Sequence, residues 1–322
     1  MDNEETITIH WMRHALSCGS ILEILKNIGL DTKRTLSGSK ISDYGKYDAS
    51  KIADKKILDE DINDKVLIEV YNEDPSKRFV RANLSTYLFT TDATRIIITS
   101  NEKRTIETAI YSFGHLERVV IIPVPYIGAK SKNGDYPKLD ELKTYFEKFF
   151  ESEELKKYFR INNRTNKLSY NKIRWYFLDQ AKLNKKDPVT EVSNSKFDKE
   201  ILPQILLDYK PKNIVAISHT DFIVERMGNK CKNLKHLNHL EIVDESYNYQ
   251  ILNRDIKLLP PSKWECDVSK LNPMYHKSVK DIGADLYDKI KSRKLNNTFE
   301  NCGYALSFAI KNPIKTGGFA NE

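Results

Sequence analysis

Cysteine is scarce in this chain, and nothing in its placement points to a metal cluster or a stapled fold. The 322 residues include four, Cys18, Cys231, Cys266 and Cys302, with no C-x-x-C pair. The expectation is reduced thiols in a cytoplasmic or other reducing intracellular compartment. Cys231, His236, His239 and Cys266 as a zinc set would have a spacing that fits no common ligand pattern. No run of 18 or more apolar residues occurs, which excludes a membrane-spanning helix. The acidic start MDNEET has no apolar stretch of signal-peptide length behind it. Charge of one sign is lacking too: 52 Lys and Arg stand among 45 Asp and Glu, so the net +7 is spread thinly. Without a basic stripe or a recognition motif, that balance predicts no nucleic-acid partner and favours anionic ligands only weakly. Proline numbers 11 and apolar residues make up 40%, which predicts a packed core rather than disorder.

What is present is an alternation of short apolar runs and helical stretches. Residues 6–11 (TITIHW) read as a strand, as do "RIIITS", "LERVVIIPVPYI", "NIVAISHT" and the late "LEIVDESYNYQIL". Between them, a stretch from Ser20 to Gly29, "SDYGKYDASKIADKKI", "NEKRTIETAIYSFG" and "KEILPQILLDY" have helical character. The pattern predicts an α/β fold with a mostly parallel central sheet. One domain is expected over residues 1–260, with an inserted segment or lid at about 130–195. Residues 261–322 read as a C-terminal extension, with a helix around "KDIGADLYDKIKSRK".

In sheets of this kind ligands bind at the carboxyl ends of the strands, and three runs end in polar, reactive residues. The first supplies Arg13 and His14, the second Ser100 with Arg104 four residues on, the third Ser218 and His219. Guanidinium forks match phosphoryl oxygens bidentately. A neutral imidazole can attack phosphorus and carry it, which splits one hard displacement into two easier ones. A second imidazole beside the phosphate stabilises the transferring group. Attack needs His14 deprotonated at one nitrogen, so a backbone carbonyl is expected to hold the proton of the other. Nothing in this chemistry calls for a cofactor or metal.

"MRHALSC", "ITSNEKRTIETA" and "VAISHTDFI", in that order, resemble the three signatures of the histidine phosphatase superfamily, the phosphoglycerate mutase-like proteins. "KISDYGKYDASKI" is similar to the turn and helix that follow its first motif, and "HLNHLEIVDESY" to its last core strand. The resemblance covers roughly residues 5–128 and 205–250. It implies a three-layer α/β/α sandwich, with His14 as nucleophile, Arg13 and Arg104 on the phosphoryl group, and His219 as the second histidine. The chain departs from the family at Ala15, where glycine is common, and at Ser20, where a phosphate-facing asparagine is common. In "VPYIGAK", Gly128 and Ala129 stand where the family places a proton-donating glutamate. Asp221, two residues past His219, resembles the donor of the acid-phosphatase branch; Asp135 and Glu107 are the other carboxylates weighed.

Ser17 can contact phosphate or cap a helix, and Cys18, His10 and His115 read as structural. The function expected is a phosphomonoester hydrolase acting on a phosphorylated small molecule or phosphoprotein, with no nucleic-acid or membrane partner. Two rivals stay open: a mutase-type phosphotransferase, and a phospho-ligand-binding module with little or no catalysis.

Overall fold

The TITIHW run lies within strand β1 (Glu4–Arg13), and four further apolar runs form the strands predicted for them: β3 (Arg95–Thr99), β4 (Val119–Pro123), β5 (Asn213–Ser218) and β6 (Ile242–Leu252). The computed structural model describes residues 4–21, 30–32, 40–54, 84–89, 92–130, 137–160, 167–182, 191–231, 234, 237–252, 255–259, 263–266, 284, 288 and 308–310. The remaining strands are β2 (Leu30–Thr32), β7 (Asp255–Leu258), β8 (Lys263–Glu265) and β9 (Phe308–Ile310). The α-helices of five residues or more among the described residues are α1 (Asp43–Ile52), α2 (Leu84–Leu88), α3 (Lys103–Phe113), α4 (Leu139–Glu151), α5 (Glu153–Arg160), α6 (Tyr176–Lys182), α7 (Leu202–Tyr209) and α8 (Thr220–Met227). Most of the helix expected from Ser20 to Gly29, and most of the one around "KDIGADLYDKIKSRK", lie outside the described residues. Among the described residues no helix is long and apolar enough to cross a membrane.

Seven strands form one sheet in the order β4-β3-β5-β1-β6-β7, with β8 also on β6; β2 and β9 pair separately. β4, β3, β5 and β1 are parallel, whereas β6 runs antiparallel to β1, and β7 and β8 antiparallel to β6. The fold is α/β as expected, but the sheet is mixed rather than mostly parallel. The reason lies after α8. The chain comes back to the rim where β1 ends, and the Leu240 amide bonds to the Arg13 carbonyl there. It therefore re-enters the sheet from that rim, with Ile242 opposite Met12.

Side chains alternate across the sheet, and both faces are buried. Ile7, Ile9 and Trp11 join Ile96, Ile98, Ile214 and Ala216 in a core with α7 and α8. Met12, Ile97, Val215 and Ile217 face the other way, into a core with α1, α3 and α4. Within α3, Ile106, Ala109, Ile110 and Phe113 fall at helical spacing and are fully buried. Gly114 closes that helix, its amide bonding to the Ile110 carbonyl. The weakly patterned 130–195 segment adds aromatic residues to this second core: Phe146, Phe149, Phe159 and Trp175 pack in it with Tyr111.

The thiol expectation is corrected. Cys231 and Cys266 are joined in a disulfide with their Cα atoms 5.6 Å apart, and Cys18 is disulfide-bonded as well. Cys302 lies outside the described residues. Compact packing of the β6–β8 region beside the end of α8 brings two cysteines 35 residues apart into bonding range, a proximity that spacing alone does not encode. The bond also removes Cys231 and Cys266 as thiolate ligands for zinc.

Candidate active site

The register of the sheet levels the strand ends. Arg13 lies opposite Ser218 in the β1–β5 pair, and Thr99 opposite Ile217 in the β3–β5 pair. β5 runs between β3 and β1, and adjacent strands are about 4.8 Å apart. Ser100, His219 and His14, each just past a strand end, are therefore carried to one stretch of rim. The side chains follow: the rings of His14 and His219 are 5.0 Å apart between centroids, and Arg104 Nη2 is 3.4 Å from His219 Nδ1.

His14 is 5% exposed, and its backbone amide bonds to the Ser218 carbonyl. Its Nδ1 is 2.7 Å from the Ala15 carbonyl oxygen. A carbonyl can only accept, so the proton sits on Nδ1 and Nε2 keeps the lone pair. This is the backbone carbonyl that the chemistry called for. Burial first, then the charges of Arg104, His219, His239 and Arg13, hold the His14 pKa well below the ordinary imidazole value. The ring is neutral at physiological pH.

The loop that carries His14 is braced from two helices. The Ala15 amide donates to Thr108 Oγ1 on α3. The Leu16 carbonyl accepts both the Ser42 amide and the Ser42 hydroxyl at the head of α1. A Cβ on Gly45 would collide with that same carbonyl, so the close approach of α1 needs glycine there. Ser17 Oγ accepts the Ser20 amide at the start of a helical turn and lies 3.0 Å from Ser20 Oγ. Its capping role is thus present in the structure.

Arg13 Nη1 donates to the Leu237 carbonyl at 2.5 Å. Arg104 Nε is buried without a hydrogen-bond partner among the described residues, a donor suited to an anion. Arg226 on α8, following His219, is paired with Glu245 on β6 at 2.7 Å and with Asp198 at 2.7 Å. Breaking a buried pair of this kind typically costs about 3–5 kcal/mol, so α8 is firmly anchored.

The structure does not draw Asp221 to the imidazoles in the same way. Asp221 is exposed, with one carboxylate oxygen accepting the Lys130 amide at 2.6 Å and the other accepting the Phe222 amide at 3.0 Å. Glu107 is buried and accepts from the Tyr145 hydroxyl and the Ile41 amide; burial pushes its pKa up. Asp135 lies outside the described residues.

Two site residues escaped the sequence reading. His239 has its ring 5.7 Å from that of His14 and its Nε2 3.2 Å from Ser20 Oγ. It precedes an antiparallel strand, whereas the rule of strand carboxyl ends looks only after parallel ones. Glu102 is fully buried, with Oε1 2.9 Å from His219 Nε2 and Oε2 2.6 Å from Arg104 Nη2. Oε1 also accepts the Ala129 amide at 3.1 Å. Its signal was available: a carboxylate two residues before Arg104, in the turn after a buried strand.

Neither a scan of protein-family models nor a search of curated proteins finds a match. Among solved structures the chain is similar to phosphoglycerate mutase from Bacillus anthracis, with 10% identity, 83% of this chain and 96% of that chain covered, and a TM-score of 0.35. It is also similar to a putative alpha-ribazole-5'-P phosphatase from Escherichia coli, with 11% identity, 80% and 96% covered, and a TM-score of 0.28. A phytase from Klebsiella matches with 10% identity, 80% and 82% covered, and a TM-score of 0.29. All three likenesses are distant. The functional reading rests instead on the side chains around His14.

Proposed function

We propose that this chain is a phosphomonoester hydrolase of the histidine phosphatase type, its mixed sheet the middle layer of an α/β/α sandwich. The observation that carries the reading is a buried, neutral His14 with its Nδ1 proton held by the Ala15 carbonyl and a second imidazole 5.0 Å away. His14 Nε2 attacks phosphorus, the P–O bond to the leaving group breaks, and a phosphohistidine forms. Arg13 and Arg104 receive the phosphoryl oxygens, and His219 stabilises their shifting charge. Ser17 and Ser20 add hydroxyl donors. Asp221 is assigned the proton that the departing oxygen takes up. Water then attacks the phosphohistidine, the P–N bond breaks, and inorganic phosphate leaves. The substrate is a phosphorylated small molecule or phosphoprotein.

The test is hydrolysis of p-nitrophenyl phosphate by wild type and His14→Ala. The wild type should turn over and trap a phosphorylated enzyme on rapid quenching, and the variant should do neither. Normal turnover by the variant removes the mechanism. One observation favours the rival of a non-catalytic phosphate-binding module: Glu102 already occupies His219 and Arg104. Phosphate binding by the wild type without hydrolysis of any ester, activated aryl esters included, would decide for that rival.

A further inference from the structure

Glu102 occupies the N-cap position of α3, yet its side chain makes no capping hydrogen bond. Thr105 Oγ1 lies within hydrogen-bond reach of the Ser100 and Glu102 carbonyls beside it. The carboxylate is instead turned inward, where it is fully buried. Burying an unpaired carboxylate costs several kcal/mol, so such a group persists only where the surroundings repay it with charge and hydrogen bonds. Here burial favours the neutral acid, but His219, then Arg104 and the Ala129 amide, outweigh it and hold the pKa at about 2. Glu102 is therefore an anion at any ordinary pH.

An anion at that position dictates where protons can be. His219 Nε2 faces Glu102 Oε1 at 2.9 Å and Ser100 Oγ at 3.0 Å, and both residues are fully buried. A bare Nε2 would set its lone pair against a carboxylate that can only accept. The proton must lie on Nε2. His219 Nδ1 is then the nitrogen on the Arg104 side, 3.4 Å from Nη2.

We propose that Glu102 is a positioning residue: it fixes the His219 proton on Nε2 and pairs with Arg104, so that imidazole and guanidinium meet a phosphoryl group as one preset unit. The effect on turnover rests on the phosphatase reading above, whereas the place of the proton does not.

Nitrogen-15 NMR of the imidazoles reads that proton directly in the wild type, with the His219 signals identified by their loss in His219→Asn. The expected neutral ring carries its proton on Nε2 and has a bare Nδ1. Glu102→Ala should give a mixture of both neutral tautomers. Glu102→Gln keeps the shape without the charge. It should lower kcat on p-nitrophenyl phosphate by about 10²- to 10³-fold while inhibition by inorganic phosphate tightens, because a negative charge has left the pocket. A wild-type ring protonated on Nδ1, or wild-type kcat in Glu102→Gln, overturns the proposal. So does a fall in kcat accompanied by weaker phosphate inhibition, the mark of a merely structural role. Should the variants fail to fold, the wild-type spectrum alone decides. If His14→Ala hydrolyses the ester normally, the phosphatase reading falls and the NMR result stands.

Discussion

Replacing Cys231 and Cys266 together with serine should weaken the chain without dismantling the site. The two residues are 35 positions apart, and cross-linking a loop of that length removes about 4 kcal/mol of chain entropy from the unfolded state. At about 2–4 °C per kcal/mol for a chain of this general size, the melting temperature should drop by roughly 8–16 °C. Activity should survive at 25 °C. The enclosed strand β6 is held independently by β1, from Met12 opposite Ile242 to Glu4 opposite Gln250, so the Leu237 carbonyl and His239 keep their places in the folded protein. The assay is a thermal melt followed by circular dichroism on wild type and double variant, each also tested on p-nitrophenyl phosphate. Alkylation of the denatured, unreduced wild type, read by mass, reports whether the bond exists in solution. Equal melting temperatures, or a wild type alkylated at both positions, would refute the reasoning and restore the expectation of free thiols.

Two further outcomes test the electrostatics. Asp221→Asn should slow hydrolysis of alkyl phosphates by about 10²- to 10⁴-fold and leave p-nitrophenyl phosphate, whose leaving group needs no proton, nearly untouched; equal losses on both esters would dismiss Asp221 as donor. Glu102 has a folded pKa of about 2 against an ordinary 4.5, so as pH falls the unfolded chain takes up the proton first. Its contribution of about 3 kcal/mol is whole above pH 4.5 and is lost on the way down to about 2. Urea unfolding at about pH 6 and about pH 3 should therefore show a steeper acid loss for wild type than for Glu102→Gln, and parallel losses would contradict the buried ion pair.

The strand ends were legible because β1, β3 and β5 are buried on both faces and so read as continuous β-branched runs that stop where polar residues begin. That pattern points to one rim for His14, Ser100, Arg104 and His219; the rings of His14 and His219 lie 5.0 Å apart, with Ser100 Oγ 3.0 Å and Arg104 Nη2 3.4 Å from the His219 ring nitrogens. His239 was not legible in this way. Its place depends on the reversal of β6, and strand direction follows from the path of the preceding loop rather than from the strand's own residues. Glu102 stands two residues before Arg104, but in "SNEKR" a charged residue at a helix start reads as solvated, and packing puts it at 0% exposure. Within the 130–195 segment the helices are short, α4 giving way to α5 at Ser152. Their aromatic residues find partners both along α4 and across elements.

The reversal of β6 has a consequence for how such a molecule can diversify. The rim is furnished by two kinds of connection: those that leave parallel strands and carry His14, Arg104 and His219, and the 237–241 stretch that arrives ahead of β6. This second stretch lies between the disulfide at Cys231 and a strand fixed by its neighbour. Lengthening a loop between fixed points costs little, about 0.6 kcal/mol per doubling. New ligand preferences can thus be acquired there while His14, Arg104 and His219 stay where the parallel strands put them.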